Sequence, residues 1–209
     1  MGKFLYFIGI DISKGTLDFV VIFANKVLIH YQSSNDKVGI ESFIKHLRTE
    51  HPQLNFQNSL YCMEHTGIYN NHLLNYFHLK KANVWLEHPV NIKESIGMIR
   101  GKNDKVDAKR IASYAYKNRD EVRLWIPKRD VIQKLDRLTA TRNRLIKVRK
   151  ILQSPLTDSQ DFIAKKDHDD AKKACQKRWI PLKRMYKTLK SSLKKLYKMI
   201  LTSRSYLSL

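Results

Sequence analysis

Four acidic side chains combine residue type and spacing in a way that could support chemistry. Asp11 and Glu64 each end a short apolar run, and Asp104 and Asp107 open an amphipathic stretch one helical turn apart. Carboxylates brought within a few ångströms repel one another, so a cluster of them stays ionised only when a cation sits among them. The pattern therefore indicates a site for Mg²⁺ or Mn²⁺, which prefer hard oxygen ligands.

A site of this kind suits phosphodiester chemistry. Two divalent ions about 3.5–4 Å apart can activate a water or hydroxyl and stabilise both the attacking and the departing oxygens of a phosphodiester. Each acid also has a structural explanation. Asp104 and Asp107 suit a helix N-cap and a first-turn acid, Asp11 suits a turn-former before Ser13, and Glu64 could begin a loop. Only the joint placement of the four acids favours chemistry.

The elements that must position these acids form an α/β domain over residues 1–127. Short apolar runs rich in β-branched and aromatic residues alternate with stretches whose apolar positions repeat at helical spacing. Three early strands followed by alternating helices and strands predict a mixed sheet with flanking helices. The strands are expected at 4–10, 16–23, 27–31, 59–63 and 82–86, and the helices at 38–47, 68–79 and 104–117.

Residues 128–209 form a second, helical part. The boundary falls near Pro127, and the last glutamate of the chain is Glu121. Apolar residues spaced three and four apart predict long helices at 131–152 and 182–200 that pair as an antiparallel coiled-coil hairpin. The aspartate-rich segment 154–170 between them is expected to be an exposed connection with some helix.

The charge of the chain favours a polyanionic partner. Forty Lys and Arg against 19 Asp and Glu give a net charge of +21 over 209 residues. Residues 1–127 hold 17 basic and 12 acidic side chains, and residues 128–209 hold 23 and 7, so the net charges are +5 and +16. Nucleic acid is the first expectation for the partner.

Other classes of protein find little support. Two distant cysteines, Cys62 and Cys175, exclude a zinc finger and a disulfide scaffold. No run approaches the roughly 18 apolar residues of a membrane-spanning helix. We expect a reducing, cytoplasmic setting with no membrane partner.

Three segments together carry a family resemblance. Residues Ile8 to Lys14, Met63 to Tyr69 and Arg100 to Ala112 resemble the amino-terminal domain of the DEDD-type insertion-sequence transposases of the IS110 family. The similarity extends in order over residues 4–200. It implies a ribonuclease H-like fold similar to that of the RuvC Holliday-junction resolvase, followed by a coiled-coil region.

The resemblance also implies functional residues and partners. Asp11, Glu64, Asp104 and Asp107 correspond to the acidic tetrad that binds divalent metal in the family. The resembled transposases use a structured guide RNA to choose DNA targets, which implies DNA and RNA as partners. The resemblance also implies a nucleoid-associated protein of a prokaryotic cell. His65, beside Glu64, is a candidate for proton relay, although a histidine at this position is also typical of an ordinary loop.

The resembled transposases continue into a second domain with a nucleophilic serine, and this chain ends where that domain is expected to begin. Ser203, Ser205 and Ser208 are not expected to replace it, because a serine needs a base or an oriented site to become nucleophilic. We therefore expect a chain that is truncated before the second catalytic domain.

Basic side chains near the acids and on the helices are candidates for phosphate contacts. On the helices they lack the compensating glutamates that would relieve like-charge repulsion, although a solvated lysine face is the plain alternative. Such contacts position a nucleic acid without reading its sequence. The candidates are Lys14, Lys102, Lys105, Lys109, Arg144, Lys147, Lys183, Lys187, Lys190 and Lys194.

The sequence therefore predicts the catalytic domain of a DNA transposase or recombinase. Its reaction is metal-dependent phosphodiester cleavage and strand transfer, and its helical region is expected to form a homo-oligomer. The alternative is a non-catalytic, basic nucleic-acid-binding or regulatory fragment that acts through its coiled coil.

Overall fold

The computed structural model describes residues 4–96, 103–158 and 161–204. The chain divides into two compact units, Met1–Pro127 and Lys128–Leu209. Among the described residues no helix is long and apolar enough to cross a membrane.

The first unit is built on one mixed five-stranded sheet in the order β3-β2-β1-β4-β5. Strand β2 is antiparallel to both of its neighbours, β1 and β3, whereas β4 runs parallel to β1 and β5 runs parallel to β4. The predicted mixed sheet is confirmed. Its strands are β1 (Tyr6–Ile12), β2 (Thr16–Phe23), β3 (Lys26–Ser34), β4 (Ser59–Glu64) and β5 (Asn83–Glu87).

Tight turns join the three antiparallel strands. Ala24 and Asn25 both have positive φ angles, 45° and 63°, in the two-residue connection between β2 and β3. This conformation matches the right-handed twist of the flanking strands. Between β1 and β2 the turn is held by Ser13, whose Oγ accepts from the Thr16 amide at 2.8 Å.

Helices cover both faces of the sheet. Helices α1 (Lys37–Glu50) and α2 (Asn71–Leu79) bury apolar residues at helical spacing, such as Phe43 and Phe77, on one face. Helices α3 (Pro89–Ile96) and α4 (Asp104–Lys117) cover the other face through residues such as Ile92, Ala108 and Ile111.

Strands β1 and β3 have other bounds than the predicted 4–10 and 27–31, and two helices also differ from the sequence prediction. The helix predicted at 68–79 begins as a separate 3₁₀ helix, Gly67–Asn70, before α2 starts. Helix α3 was not predicted. Its eight residues are too few for a periodic pattern to stand out.

The second unit contains two long helices, α5 (Asp130–Asp158) and α6 (Lys165–Arg204), which contact each other. The His168 ring bonds the Leu156 carbonyl at 2.9 Å, and the Arg142 guanidinium lies 6.0 Å from the centre of the Tyr186 ring. These contacts show that the helices run antiparallel over this stretch. Coiled-coil packing stays a prediction.

The connection between these helices is shorter than predicted. Helix α5 runs to Asp158 and helix α6 begins at Lys165, so most of segment 154–170 is helical. Helix α6 also continues through Pro181, where a proline forfeits one helical hydrogen bond but does not have to end a long helix.

Candidate active site

Helix α4 packs directly against β1 at Gly9. A Cβ atom at Gly9 would lie 2.8 Å from Ala112 Cα and closer still to the Ala108 carbonyl oxygen and the Ala112 amide nitrogen. Only a residue without a side chain allows the helix backbone this close. Because Asp104 lies one turn before Ala108, this contact sets the first turn of α4 over the sheet near the end of β1.

Asp11 lies two residues beyond Gly9 and on the same face of β1, the face that α4 covers. The parallel register pairs Ile10 with Met63, so the next residues, Asp11 and Glu64, end neighbouring strands side by side. Both carboxylates therefore reach the edge of the sheet from rigid strands, and both are half-buried.

Asp104 is not a helix N-cap and Asp11 is not a turn-former, which were the structural explanations for these two acids. Helix α4 is capped by Asn103, whose Oδ1 accepts from the Lys105 amide at 3.0 Å, so Asp104 is not the N-cap. Asp11 is part of β1, and its Oδ1 accepts a local bond from the Ile12 amide at 3.0 Å. Ser13 is the residue that forms the following turn.

Asp104 and Asp107 do lie in the first turn of α4, where acids favour the helix dipole. That part of the structural explanation holds. It does not account for the proximity of these two acids to Asp11, which belongs to a different element.

The electrostatics tie the four acids together. Burial, followed by the charges of Asp107 and Asp104 and more weakly of Glu64, raises the pKa of Asp11 to about 6. Burial also raises the pKa of Glu64, opposed by the Lys93 ammonium and reinforced by Asp107. Each acid thus lies within electrostatic range of another, which is the environment that a cation stabilises.

The four acids suit a divalent ion in donor type and charge, but their side chains are not arranged around an ion. The donors are hard carboxylate oxygens, as Mg²⁺ and Mn²⁺ require. However, Asp107 Oδ1 pairs with Arg110 Nη1 at 2.6 Å. Within residues 4–96, 103–158 and 161–204, no group of three or more His, Cys, Asp or Glu side chains is arranged to hold a metal ion.

Two further carboxylates extend the row of acids across the same face. Asp18 pairs with Asp11 in the register of β1 and β2, and Glu87 pairs with Glu64 in that of β4 and β5. Asp18 is almost fully buried and accepts from Gln32 Nε2 at 3.0 Å, while its other oxygen lies 2.9 Å from His30 Nε2. Sequence reasoning missed both acids. Asp18 lies inside an ordinary strand pattern, whereas Glu87 follows the apolar run 82–86 as Glu64 follows 59–63, a signal that could have identified it.

A buried asparagine shapes the loop after Glu64. The side chain of Asn70 accepts from the Thr66 amide at 2.7 Å and donates to the Glu64 carbonyl at 2.8 Å. Gly67 has a positive φ of 73°, which glycine adopts without strain. His65 is exposed, and its Nδ1 accepts from the Gly67 amide at 3.4 Å, so its side chain bonds to the loop itself.

The basic candidates are largely exposed. Lys14, Lys105 and Lys109 form no ion pair with a carboxylate elsewhere in the described part of the chain. Lys102 lies outside the described residues. The candidates on α5 and α6 are likewise exposed, namely Arg144, Lys147, Lys183, Lys187, Lys190 and Lys194.

Comparison with known families assigns the chain. The model of the IS110-type DEDD family, described as "Transposase", matches residues 8–159. The chain belongs to this transposase family. The matched segment includes Asp11, Glu64, Asp104 and Asp107. The ribonuclease H-like fold expected of the family agrees with the strand order and directions of the sheet.

Solved structures with some similarity include RuvC of T. thermophilus in complex with a Holliday junction substrate. That match has a TM-score of 0.43 and 11% identity, and it covers 58% of this chain and 99% of the RuvC chain. A second Thermus thermophilus RuvC structure has a TM-score of 0.41 and 11% identity, covering 57% of this chain and 99% of the other. The search of curated proteins found no match.

Proposed function

We propose that this chain is the metal-dependent catalytic region of a DNA transposase or recombinase and that its acidic tetrad is Asp11, Glu64, Asp104 and Asp107. One observation carries the proposal. The close packing of α4 at Gly9 brings its two first-turn acids to the end of β1, where burial of Asp11, together with the charges of these two acids, raises the pKa of Asp11 to about 6. A partly buried concentration of negative charge of this kind is costly unless a cation neutralises it.

The chain's own residues divide the work. Asp11 and Glu64 supply oxygen donors from strands that are fixed in register. Asp104 and Asp107 would supply donors from α4, and Asp107 would exchange its ion pair with Arg110 for the ion. Arg110 lies on the same helix beside Asp107, and its guanidinium would be able to donate two hydrogen bonds to a phosphate of the substrate.

Divalent ions held by these carboxylates would activate a water or hydroxyl and stabilise the attacking and leaving oxygens of a phosphodiester. Lys14, Lys105 and Lys109 would hold the flanking phosphates. The lysines of α6 would follow the DNA backbone without reading its sequence.

The finer parts of the proposal rest on membership of the family. We infer that the reaction includes strand transfer and that a structured guide RNA selects the DNA. We infer further that the basic helical unit supports a homo-oligomer. Helix α6 is long and amphipathic, with Leu196 buried and lysines exposed. This pattern supports both nucleic-acid binding and association of the helical unit.

A nicking assay tests the proposal. Supercoiled plasmid is incubated with the chain in Mg²⁺, in Mn²⁺ and in EDTA, and the same is done with the Asp11→Asn/Asp104→Asn double variant. Asp120→Asn is the matched control, because Asp120 is an exposed aspartate of the same unit. We expect nicking that requires the metal, survives in the control and is lost in the double variant.

Two results would oppose the proposal. Equal uptake of Mn²⁺ by the wild type and the double variant would remove the tetrad assignment. DNA binding that weakens with salt but is indifferent to metal would favour the non-catalytic alternative.

A further inference from the structure

A single buried asparagine, Asn35, ties together two loops beside the acidic residues. Its Nδ2 donates to the Ser13 carbonyl at 2.8 Å and to the Tyr69 carbonyl at 3.1 Å, and its own amide donates to the Gly15 carbonyl at 3.0 Å. These partners lie 22 and 34 positions away for the side chain, so the bonds are not those of a local turn. Asn35 joins the β1–β2 turn to the Gly67–Asn70 helix.

Both loops follow directly from acids of the site. Ser13 comes two residues after Asp11, and Gly67 comes three residues after Glu64. The Gly67–Asn70 helix is fixed from its other side by the buried side chain of Asn70, which bonds to Thr66 and Glu64. The two loops therefore form one continuous edge next to the place where β1 and β4 deliver their carboxylates.

The outer surface of this edge is mixed in character. Lys14 lies at the tip of the first loop and is exposed. In the second loop Ile68 is 73% exposed and Tyr69 is 39% exposed. An ammonium suits a phosphate, whereas an exposed isoleucine and tyrosine suit the sugars and bases of the same strand rather than its phosphates.

The bridging amide is also under unusual constraint. Asn35 is 9% exposed, and its Oδ1 is buried with no hydrogen-bond partner in the described part of the chain. A buried acceptor without a partner costs free energy. The two hydrogen bonds that Nδ2 donates to the loops offset this cost. They indicate that the role of Asn35 is to join the loops.

We propose that Asn35 is a positioning residue that locks the Ser13–Gly15 turn and the Gly67–Asn70 helix into one contact edge for a DNA strand. The edge presents Lys14 to a phosphate and Tyr69 to the neighbouring sugar and base. This inference rests on the proposed function, because DNA is the partner that it assumes. It adds a surface and a residue that lie outside the acidic tetrad.

The test compares Asn35→Ala with Asn83→Ala. Asn83 is a matched control because its Nδ2 also bridges separate carbonyls, those of Phe56 at 2.8 Å and Ser59 at 3.2 Å, but at the opposite end of the strands. Both variants lose a bridging amide, so both lose thermal stability. Affinity for a fluorescein-labelled DNA duplex is measured by anisotropy for each of them, and again with Lys14→Ala added.

The expected result is weaker DNA binding for Asn35→Ala than for Asn83→Ala. In addition, the factor by which Lys14→Ala weakens binding should differ by about twofold or more between the wild-type and Asn35→Ala backgrounds, since coupled residues of one network are not additive. If Asn35→Ala does not fold, the same coupling is measured between Lys14→Ala and Tyr69→Ala, two changes of exposed side chains.

Equal DNA affinity for the two asparagine variants, or strict additivity in the cycle, would overturn the inference. This failure is separate from failure of the proposed function. The latter would appear as wild-type chain that neither binds DNA nor nicks it in a metal-dependent way, whatever residue stands at position 35.

Discussion

Replacing Gly9 by alanine should separate α4 from β1 and open the acidic site without touching any carboxylate. The added Cβ would lie 2.8 Å from Ala112 Cα, whereas ordinary contact begins at 3.4 Å. The helix must therefore move outward by at least about 0.6 Å, the difference between these distances, and further at the Ala108 carbonyl. Overpacking of this kind costs about 1–3 kcal/mol of stability.

Mn²⁺ affinity should be affected more strongly than stability. Asp104 and Asp107 move with the displaced helix, while Asp11 stays in place on β1. Ligand distances must hold to within about 0.2 Å for a metal site, so a shift of this size should lower Mn²⁺ affinity about 10–100-fold, as losses of supporting contacts do. Isothermal titration with Mn²⁺ and thermal unfolding measure the two effects on the same samples.

Two other glycines provide controls. A Cβ at Gly15 meets no atom of the described residues within 4 Å, so Gly15→Ala should change neither stability nor Mn²⁺ affinity. A Cβ at Gly39 would clash with Ser34 on a part of the fold away from α4, so Gly39→Ala should lower stability and leave Mn²⁺ affinity unchanged. The reasoning is refuted if Gly9→Ala binds Mn²⁺ as tightly as the wild type, or loses affinity only to the extent that Gly39→Ala does.

Three further predictions concern charge. Arg110→Gln removes the ion pair of Asp107, so Mn²⁺ affinity measured by titration should rise. An unchanged or lower affinity would contradict a competition between Arg110 and the ion for Asp107. The pKa of Asp11 is about 6 in the folded chain, whereas the unfolded carboxyl has a pKa near 4. The stability of the metal-free chain should therefore fall as the pH rises from about 4 to 6. Thermal unfolding in EDTA should show this fall for the wild type and not for Asp11→Asn. Changing Lys187 and Lys194 to glutamine should reduce the slope of log affinity against log salt by up to about 2, and an unchanged slope would argue for a merely solvated face.

The sequence predicted the sheet well because its evidence is local. Strands β1 and β2 are short apolar runs bounded by turn residues, and the helical spacing of Phe43, Ile44 and Leu47 identifies the buried face of α1, whereas Val38 of the same predicted pattern is exposed. The boundary proposed near Pro127 coincides with a change from alternating elements to continuous helix. These features depend on periodicity and composition, which can be determined from the sequence without the tertiary structure.

The supporting residues of the site could not be predicted, because their role depends on pairings distant along the chain. Asp18 reads as a polar residue in an ordinary strand until the register places it beside Asp11. Asn35 reads as a turn residue until its bonds to Ser13 and Tyr69 are known. The closeness of Gly9 to α4 likewise follows only from the packed structure.

The central claim is tested most directly by an anomalous scattering map from crystals of the full chain grown with Mn²⁺. We expect density for the ion in contact with carboxylate oxygens of Asp11 and of at least one acid of α4, with Asp107 turned away from Arg110. Manganese bound only elsewhere, or an intact Asp107–Arg110 pair with no ion beside Asp11 at saturating Mn²⁺, would contradict it.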